Sequence, residues 1–212
     1  MVKRRFGPRR DSLGTVILFA RVPKLGRGKR RLARDIGDLA AHRFYQRALE
    51  RTVTLVAAEA GWRAMAAIDP PRLAACPGPV FRRGRARRIR CFPQSGRDLG
   101  QRMAAALAAA PPGPVVLIGA DIQGVSAAAL RRALLACRRA DLVFGPAEDG
   151  GFWLIGLKRP PSRRLFGATT WSTATTLAQA MAAAPKAWRI ACVDRLRDVD
   201  VAADLPIGRD RP

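Results

Sequence analysis

The sequence predicts one α/β domain, built as a mostly parallel sheet with helices on both faces. Three observations predict it. Short runs rich in Val, Ile and Leu recur along the chain, too continuously apolar for strands with one wet face, so they read as strands buried on both sides. Between them lie longer stretches with apolar residues three and four apart, the spacing of amphipathic helices. At 212 residues and 49% apolar content, the chain is long enough for one sizeable core and short for two. Residues 1–12 read as a disordered basic tail, 13–206 as the domain and 207–212 as a C-terminal tail.

Taken in order, Thr15 to Ala20 is the first strand, and a basic, glycine-containing loop follows it. Asp38 to Ala60 carries Leu39, Phe44, Leu49, Val53 and Val56 on one helical face. Ala64 to Ile68 and Ile89 to Phe92 are strands, and the Ala-rich stretch from Asp98 to Ala110 is a helix that Pro111 to Pro114 terminates. Val115 to Gly119 is the clearest buried strand. Ser126 to Arg139 is a helix capped by Ser126. Strands at Leu142 to Phe144 and Phe152 to Leu157, a helix from Thr173 to Ala184 and a strand from Trp188 to Val193 complete the alternation.

The formal net charge of +23 raises a polyanion as partner, but all except five of the 39 basic residues are Arg, and the chain is also rich in Ala. A compositional bias toward Arg and Ala explains that pairing without a nucleic-acid role. Cys76, Cys91, Cys137 and Cys192 form no C-x-x-C pair, and His42 is the only histidine, so neither a zinc site nor a disulfide framework is expected. The cysteines fit buried, reduced thiols, and His42 a position on a helix surface. Val16 to Ala20 is too short for a signal peptide, and prolines break the stretch from Met103 to Ala120, so no membrane span is expected and the location reads as cytoplasmic.

In open α/β sheets ligands sit beyond the carboxyl ends of the strands, so the residues just after each strand carry the functional reading. After the first strand, Arg21 to Arg34 holds seven cationic residues and no acid. Gly26 and Gly28 there let the backbone approach an anion, a following helical turn presents amides, and Arg or Lys side chains of the loop can grip diphosphate oxygens. The alternative is a solvated basic loop. Asp121, at the tip of the central strand, is a natural ligand for Mg²⁺ or Mn²⁺ on a diphosphate, unless it merely caps the next helix. Gly145 to Gly151 places Glu148 and Asp149 beside Gly150 and Gly151, where a carboxylate can meet an incoming hydroxyl; a tight Asp-Gly turn is the plain alternative. Asp198 and Asp200 follow the last strand on one side of an extended segment, and either can supply a second metal carboxylate or be solvated surface.

Taken together these motifs resemble a family. The order Phe19-Ala20-x-x-Pro23-x-x-Gly26-Arg27-x-Lys29-x-Arg31-Leu32, Gly96-x-Asp98-Leu99-Gly100-x-Arg102-Met103, Leu117-Ile118-Gly119-x-Asp121, Gly145-Pro146-Ala147-Glu148-Asp149-Gly150-Gly151-Phe152, Trp171-Ser172-Thr173 and Leu196-Arg197-Asp198-Val199-Asp200 resembles bacterial glycosyltransferases assigned to arsenosugar biosynthesis. The resemblance runs from Thr15 to Leu205. It implies a glycosyltransferase-A (nucleotide-diphospho-sugar transferase) fold, with a distant likeness to guanylyltransferases.

Carried over, nucleotide binding falls on Arg21, Gly26, Arg27, Lys29 and Arg31, with Arg97, Asp98 and Gly100 near the base. Metal binding falls on Asp121 and on Asp200 in preference to Asp198, with Mg²⁺ or Mn²⁺ as cofactor. Asp149 and Asp121 take the catalytic roles, and Glu148, Gly150, Gly151 and Trp171 the acceptor side. The family's Lys-Thr-Arg-Leu is Lys29-Arg30-Arg31-Leu32 here, its Asp-Ser-Pro or Asp-Cys-Pro is Asp121-Ile122-Gln123, and its Asp-Thr-Pro is Asp200-Val201-Ala202.

The implied function is metal-dependent transfer from a nucleotide-diphosphate-activated donor, a glycosyl group going to a small-molecule acceptor. The alternative is nucleotidyl transfer from a nucleoside triphosphate to a phosphorylated small molecule. Outside catalysis stand an inactive relative and a nucleic-acid-binding module. The latter would use the arginines between Arg82 and Arg90 with Phe81 and Phe92 as stacking platforms, but nucleic acid is not the expected partner. A homodimer is compatible with the sequence.

Overall fold

The computed structural model describes residues 12–159, 166, 169–197 and 202–204. Apart from Ser12, both expected tails lie outside the described residues. Seven strands form one sheet: β1 (Thr15–Arg21), β2 (Arg63–Asp69), β3 (Arg90–Pro93), β4 (Val115–Gly119), β5 (Leu142–Pro146), β6 (Phe152–Leu157) and β7 (Ile190–Cys192). Their order across the sheet is β3-β2-β1-β4-β6-β5-β7. Only β6 runs against the rest: β4 and β5 each pair with it antiparallel, while β1–β2, β1–β4, β2–β3 and β5–β7 are parallel. The reason is local, because the connection Ala147 to Gly151 is far too short for a crossover and the chain must fold straight back.

Alternation along the strands divides the core. Val16, Leu18, Val116 and Ile118 pack on one face against α2 (Asp38–Ala58), through Leu49, Val53 and Val56, and against α4 (Ala127–Arg139), through Leu130, Leu134 and Cys137. Ile17, Val115, Leu117 and Phe144 face the other side, covered by α3 (Leu99–Ala108), through Met103 and Leu107, and by α5 (Thr176–Ala182), through Ala180. Helices thus cover both faces, as the alternating pattern predicts. Two helices start at side-chain caps: Ser126 accepts from the Ala129 amide at 3.1 Å, and Asp98 from the Gln101 amide at 2.8 Å.

Several expectations are corrected. The loop after β1 contains a short helix, α1 (Arg30–Ile36), whose Leu32 is buried with Ala41 and Phe44 of α2. Leu39, expected on the buried face of α2, is 54% exposed, because Ala41 and Phe44 rather than Leu39 point at α1. Between β2 and β3 the chain forms three 3₁₀ turns, at Pro71–Leu73, Pro79–Arg82 and Gly84–Arg88. Residues 173–175 are turns rather than the start of α5. The cysteines are all free, but only Cys137 is fully buried; Cys76 and Cys192 are exposed. His42 does lie on α2. Among the described residues no helix is long and apolar enough to cross a membrane.

Two outcomes follow from this packing. A Cβ on Gly145 would lie 2.5 Å from the ring of Trp153, which is 2% exposed and donates through Nε1 to the Asp194 carbonyl at 2.8 Å. Gly145→Ala should therefore lower unfolding free energy by about 1–3 kcal/mol, seen as a lower urea midpoint at unchanged slope. Burial pushes the Cys137 thiol up to about 12 and Cys91 up to about 11. A disulfide reagent applied to native protein should modify Cys76 and Cys192 first and reach Cys137 only on unfolding; rapid labelling of Cys137 would contradict the packing.

Candidate active site

The parallel strands deliver their carboxyl ends to one edge of the sheet, and an open cleft of about 860 Å³ lies along that edge. The loops after β1 and β4 are its middle, because those strands are neighbours. Lys29 starts α1 in a left-handed conformation (φ 44°), following Gly26 (φ 73°) and Gly28 (φ 83°) in a turn closed by the Arg27 amide on the Lys24 carbonyl at 3.0 Å. That turn sends the Lys29 ammonium inward, where Nζ meets Asp121 Oδ2 at 2.9 Å with the two side chains 8% and 22% exposed. Asp121 is no helix cap, since Ser126 caps α4. Arg27, Arg30 and Arg31 line the same cleft.

Side chains of α2 brace the two strand tips. The Tyr45 hydroxyl accepts from the Arg21 amide and donates to the Arg21 carbonyl, both at 3.0 Å. Burial, and next the Asp121 carboxylate, raise the Tyr45 hydroxyl well above the usual phenol range, so it stays a neutral donor. Buried Thr52 shares its hydroxyl between the Ala48 carbonyl at 3.0 Å and the Ala120 carbonyl at 3.1 Å, fixing the residue before Asp121.

On the β2–β3 side, Asp69 at the end of β2 holds Arg21 Nε at 2.8 Å and Arg102 NH1 at 3.3 Å, joining β1, β2 and α3. Arg97, Asp98 and Leu99 line the cleft there, Asp98 doing so while it caps α3. Gln94, 6% exposed, lies beside them; its amide nitrogen donates to the Ala67 carbonyl at 3.1 Å and the Ala20 carbonyl at 3.3 Å. On the β5–β6 side, Asp149, Gly151, Phe152, Trp171 and Thr173 line the cleft. Asp149 Oδ1 accepts from the Gly151 amide at 2.9 Å and stays exposed. Phe152 and Trp171 meet edge to face at 6.3 Å.

Most of the residues expected from sequence therefore gather at one edge. Arg21, Arg27, Lys29, Arg31, Arg97, Asp98, Asp121, Asp149, Gly151 and Trp171 all line the cleft. Others do not. Gly26 lies in the turn outside it, and Gly100 is covered, its absent Cβ leaving room for Phe166 and the Trp171 ring, each 2.7 Å from where that atom would be. Glu148 turns to Arg197 at 2.9 Å, and Gly150 lies against the backbone of Ala174, where a Cβ would come 2.1 Å from the carbonyl oxygen. Asp198 and Asp200 lie outside the described residues; the flanking Arg197 carbonyl accepts from the Gln123 amide, and the Ala202 amide donates to Asp35 of α1. Tyr45, Thr52, Asp69 and Gln94 were not singled out from sequence, because nothing in their spacing separates a strand-tip brace from ordinary helix or strand residues.

Residues 52–173 match the family described as uncharacterized protein conserved in bacteria, DUF2064. The chain belongs to that family. No curated protein matches the sequence. Among solved structures, a candidate nucleotide-diphospho-sugar transferase from Desulfovibrio desulfuricans G20 is similar, with a TM-score of 0.73 at 24% identity over 90% of this chain and 83% of that one. The 4-diphosphocytidyl-2C-methyl-D-erythritol synthase of Anaerococcus prevotii DSM 20548 is similar with a TM-score of 0.55 at 13% identity, over 90% and 93% of the two chains. At these identities the likeness concerns the fold, which is that of nucleotide-diphospho-sugar transferases.

Within this family member the described residues supply no group of three or more His, Cys, Asp or Glu able to hold a metal ion. Asp121 is the carboxylate in the middle of the cleft, and it already faces an ammonium. That donor set suits Mg²⁺ or Mn²⁺ bound together with phosphate oxygens and water, which needs only one or two carboxylates, and it does not suit a metal caged by protein alone.

The pairing itself is measurable. In a double-mutant cycle of Lys29→Met and Asp121→Asn, urea unfolding should return a coupling of about 1–3 kcal/mol, because both groups are largely withdrawn from water. A coupling near zero would mean that the two charges are not held together.

Proposed function

We propose that this chain is a cytoplasmic, metal-dependent transferase that takes a nucleotide-diphosphate-activated donor and moves its glycosyl group to a small-molecule acceptor. The observation that carries the reading is the meeting of Lys29 and Asp121 at the centre of the cleft, with arginines on one side and an open carboxylate, Asp149, beyond. A basic loop facing one acid is the arrangement needed to bind a diphosphate together with a divalent cation.

In this reading Arg27, Lys29 and Arg31 bind the diphosphate, and Asp121 holds Mg²⁺ or Mn²⁺ jointly with it. The cation, when bound, would supply Lewis-acid neutralisation of the leaving oxygens. Asp149 accepts the proton of the acceptor hydroxyl as its oxygen bonds to the sugar carbon, while the bond from that carbon to the diphosphate breaks and the nucleoside diphosphate leaves. The Asp149 carboxylate is oriented for this by the Gly151 amide, and the Phe152–Trp171 pair offers an apolar wall against which a sugar or acceptor ring can lie.

The resemblance of the six motifs to arsenosugar glycosyltransferases favours glycosyl transfer. The likeness to a diphosphocytidyl transferase in fold keeps a second reading in view: a phosphorylated acceptor attacks the α-phosphorus of a nucleoside triphosphate and pyrophosphate leaves. The product identifies the reaction, nucleoside diphosphate for the first and pyrophosphate for the second.

Nucleotide with metal should stabilise the protein where metal alone does little. At a ligand concentration near 100 times Kd the gain is about 2.7 kcal/mol. For a domain of this size that is a rise in Tm of roughly 5–10 °C. An unmoved Tm with saturating UDP, GDP, their sugars and Mg²⁺ or Mn²⁺ would end the proposal.

A further inference from the structure

The two most exposed large apolar side chains among the described residues, Leu25 and Leu39, sit at one corner of the molecule, 56% and 54% exposed. Leu25 is at the tip of the turn Lys24–Arg27, which the Arg27 amide closes on the Lys24 carbonyl at 3.0 Å. Gly26, with φ 73°, supplies the left-handed third position of that turn. The turn therefore needs nothing apolar at its tip, yet a leucine stands there in solvent. Leu39 is in the first turn of α2. Lys24, Gly26 and Arg27 line one side of a small crevice, and Asp38, Ala41 and His42 line the other. The two leucines are thus immediate chain neighbours of residues on its opposite walls. The corner lies outside the cleft but on its rim, since Arg27 lines both.

Cations surround the leucines. Lys24 and Arg27 belong to the turn of Leu25, Arg43 lies one helical turn beyond Leu39 on the same stripe of α2, and Arg34 is in the last turn of α1; all four are exposed. Of the acids nearby, Asp35 accepts from the Ala202 amide and Asp38 starts α2. Aliphatic tips set among long cationic side chains match a bilayer with anionic headgroups: leucine enters the acyl boundary while ammonium and guanidinium groups stay with the phosphates. A second copy of the chain fits badly, because a two-fold contact would press this basic corner against itself. Nucleic acid also fits badly, because leucine offers no ring on which a base can stack.

We propose that the corner formed by the Lys24–Arg27 turn and the start of α2 docks on anionic lipid bilayers, with Leu25 and Leu39 entering the interface. The proposal goes beyond the transferase reading and does not depend on it. A chain docked in this way holds the rim of its cleft at the headgroup layer. Each cation near such a surface and each buried apolar group adds a modest increment, so attachment draws on both kinds of group.

Flotation of the full chain with vesicles tests it, one set made of phosphatidylcholine alone and another of equal parts phosphatidylcholine and phosphatidylglycerol. Wild-type protein should float with the second set only. The chain also carries Lys3, Arg4, Arg5, Arg9 and Arg10 before Ser12, so charge by itself gives some attachment and the leucines are the deciding groups. Leu25→Ser combined with Leu39→Ser should lower partitioning at least about tenfold with Tm unmoved. Lys24→Gln, Arg34→Gln and Arg43→Gln together should also lower it at least about tenfold. In Leu25→Trp, brominated phosphatidylcholine in the mixed vesicles should quench the added emission, and this arm decides the matter if the serine variant does not fold. Undiminished flotation of the serine variant would assign the attachment to charge alone and overturn the proposal. So would an unquenched Leu25→Trp, equal flotation with both vesicle sets, or flotation with neither. A wild-type dimer in light scattering that the serine variant returns to monomer would make the corner a self-contact and overturn it as well.

Discussion

The 2.9 Å contact between Lys29 and Asp121 is the constraint around which the functional edge is arranged. An ammonium with 8% of its side chain exposed needs a carboxylate near it, and no residue within β1 or β4 can provide one. The contact is available only because β1 and β4 are adjacent and parallel, so that their following loops leave the sheet side by side. The left-handed backbone of Lys29 and the glycine turn before it are the local means by which a strongly basic loop directs one charge inward and leaves the others around the cleft.

Helix α2 is the part that makes this edge rigid. Its inward apolar face packs with Val16 and Leu18 of β1, yet it contributes two polar groups, Tyr45 and Thr52, whose hydroxyls bond to the backbone at Arg21 and Ala120. These bonds end on Arg21, which lines the cleft, and on Ala120, which precedes Asp121. On the other flank Asp69 binds Arg21 and Arg102, so an arginine at the strand tip is already committed to the protein and shapes the wall of the cleft through its stem. A ligand contact by Arg21 would have to compete with Asp69.

The positions of the strands along the chain and their burial were legible because continuous runs such as Val115 to Gly119 have no polar face to offer. So were the strand-tip acids and bases, since residues after parallel strands must share one edge. Three kinds of information were not legible. The reversal of β6 depends on a short connection that also reads as a functional turn. Gly100 and Gly150 read as ligand-facing glycines, but the close approach they permit is to Trp171 and Ala174, a tertiary contact with no local signature. Gln94 and Thr52 look like any polar residue beside a strand or inside a helix; only the position of three backbone carbonyls gives them a role.

The charge of +23 invites a different account, and the placement of the arginines argues against it. Between Arg82 and Arg90 six arginines are exposed, but they alternate with Phe81, Ala86 and Ile89, which are 5–6% exposed and packed in the core. The run is the amphipathic cover of a core flank beside α2. Phe81 is buried and Phe92 is packed against the opposite core face, so neither is a platform on which bases can stack. Several of these guanidinium groups are turned back on the chain, Arg85 to the Ala58 carbonyl and Arg87 to the Arg82 carbonyl. What distinguishes the cleft arginines is not their number but an apposed acid, a concave surface and an edge to which the carboxyl ends of the six parallel strands converge. Under the function proposed above, those features suit a compact anion better than an extended polyanion.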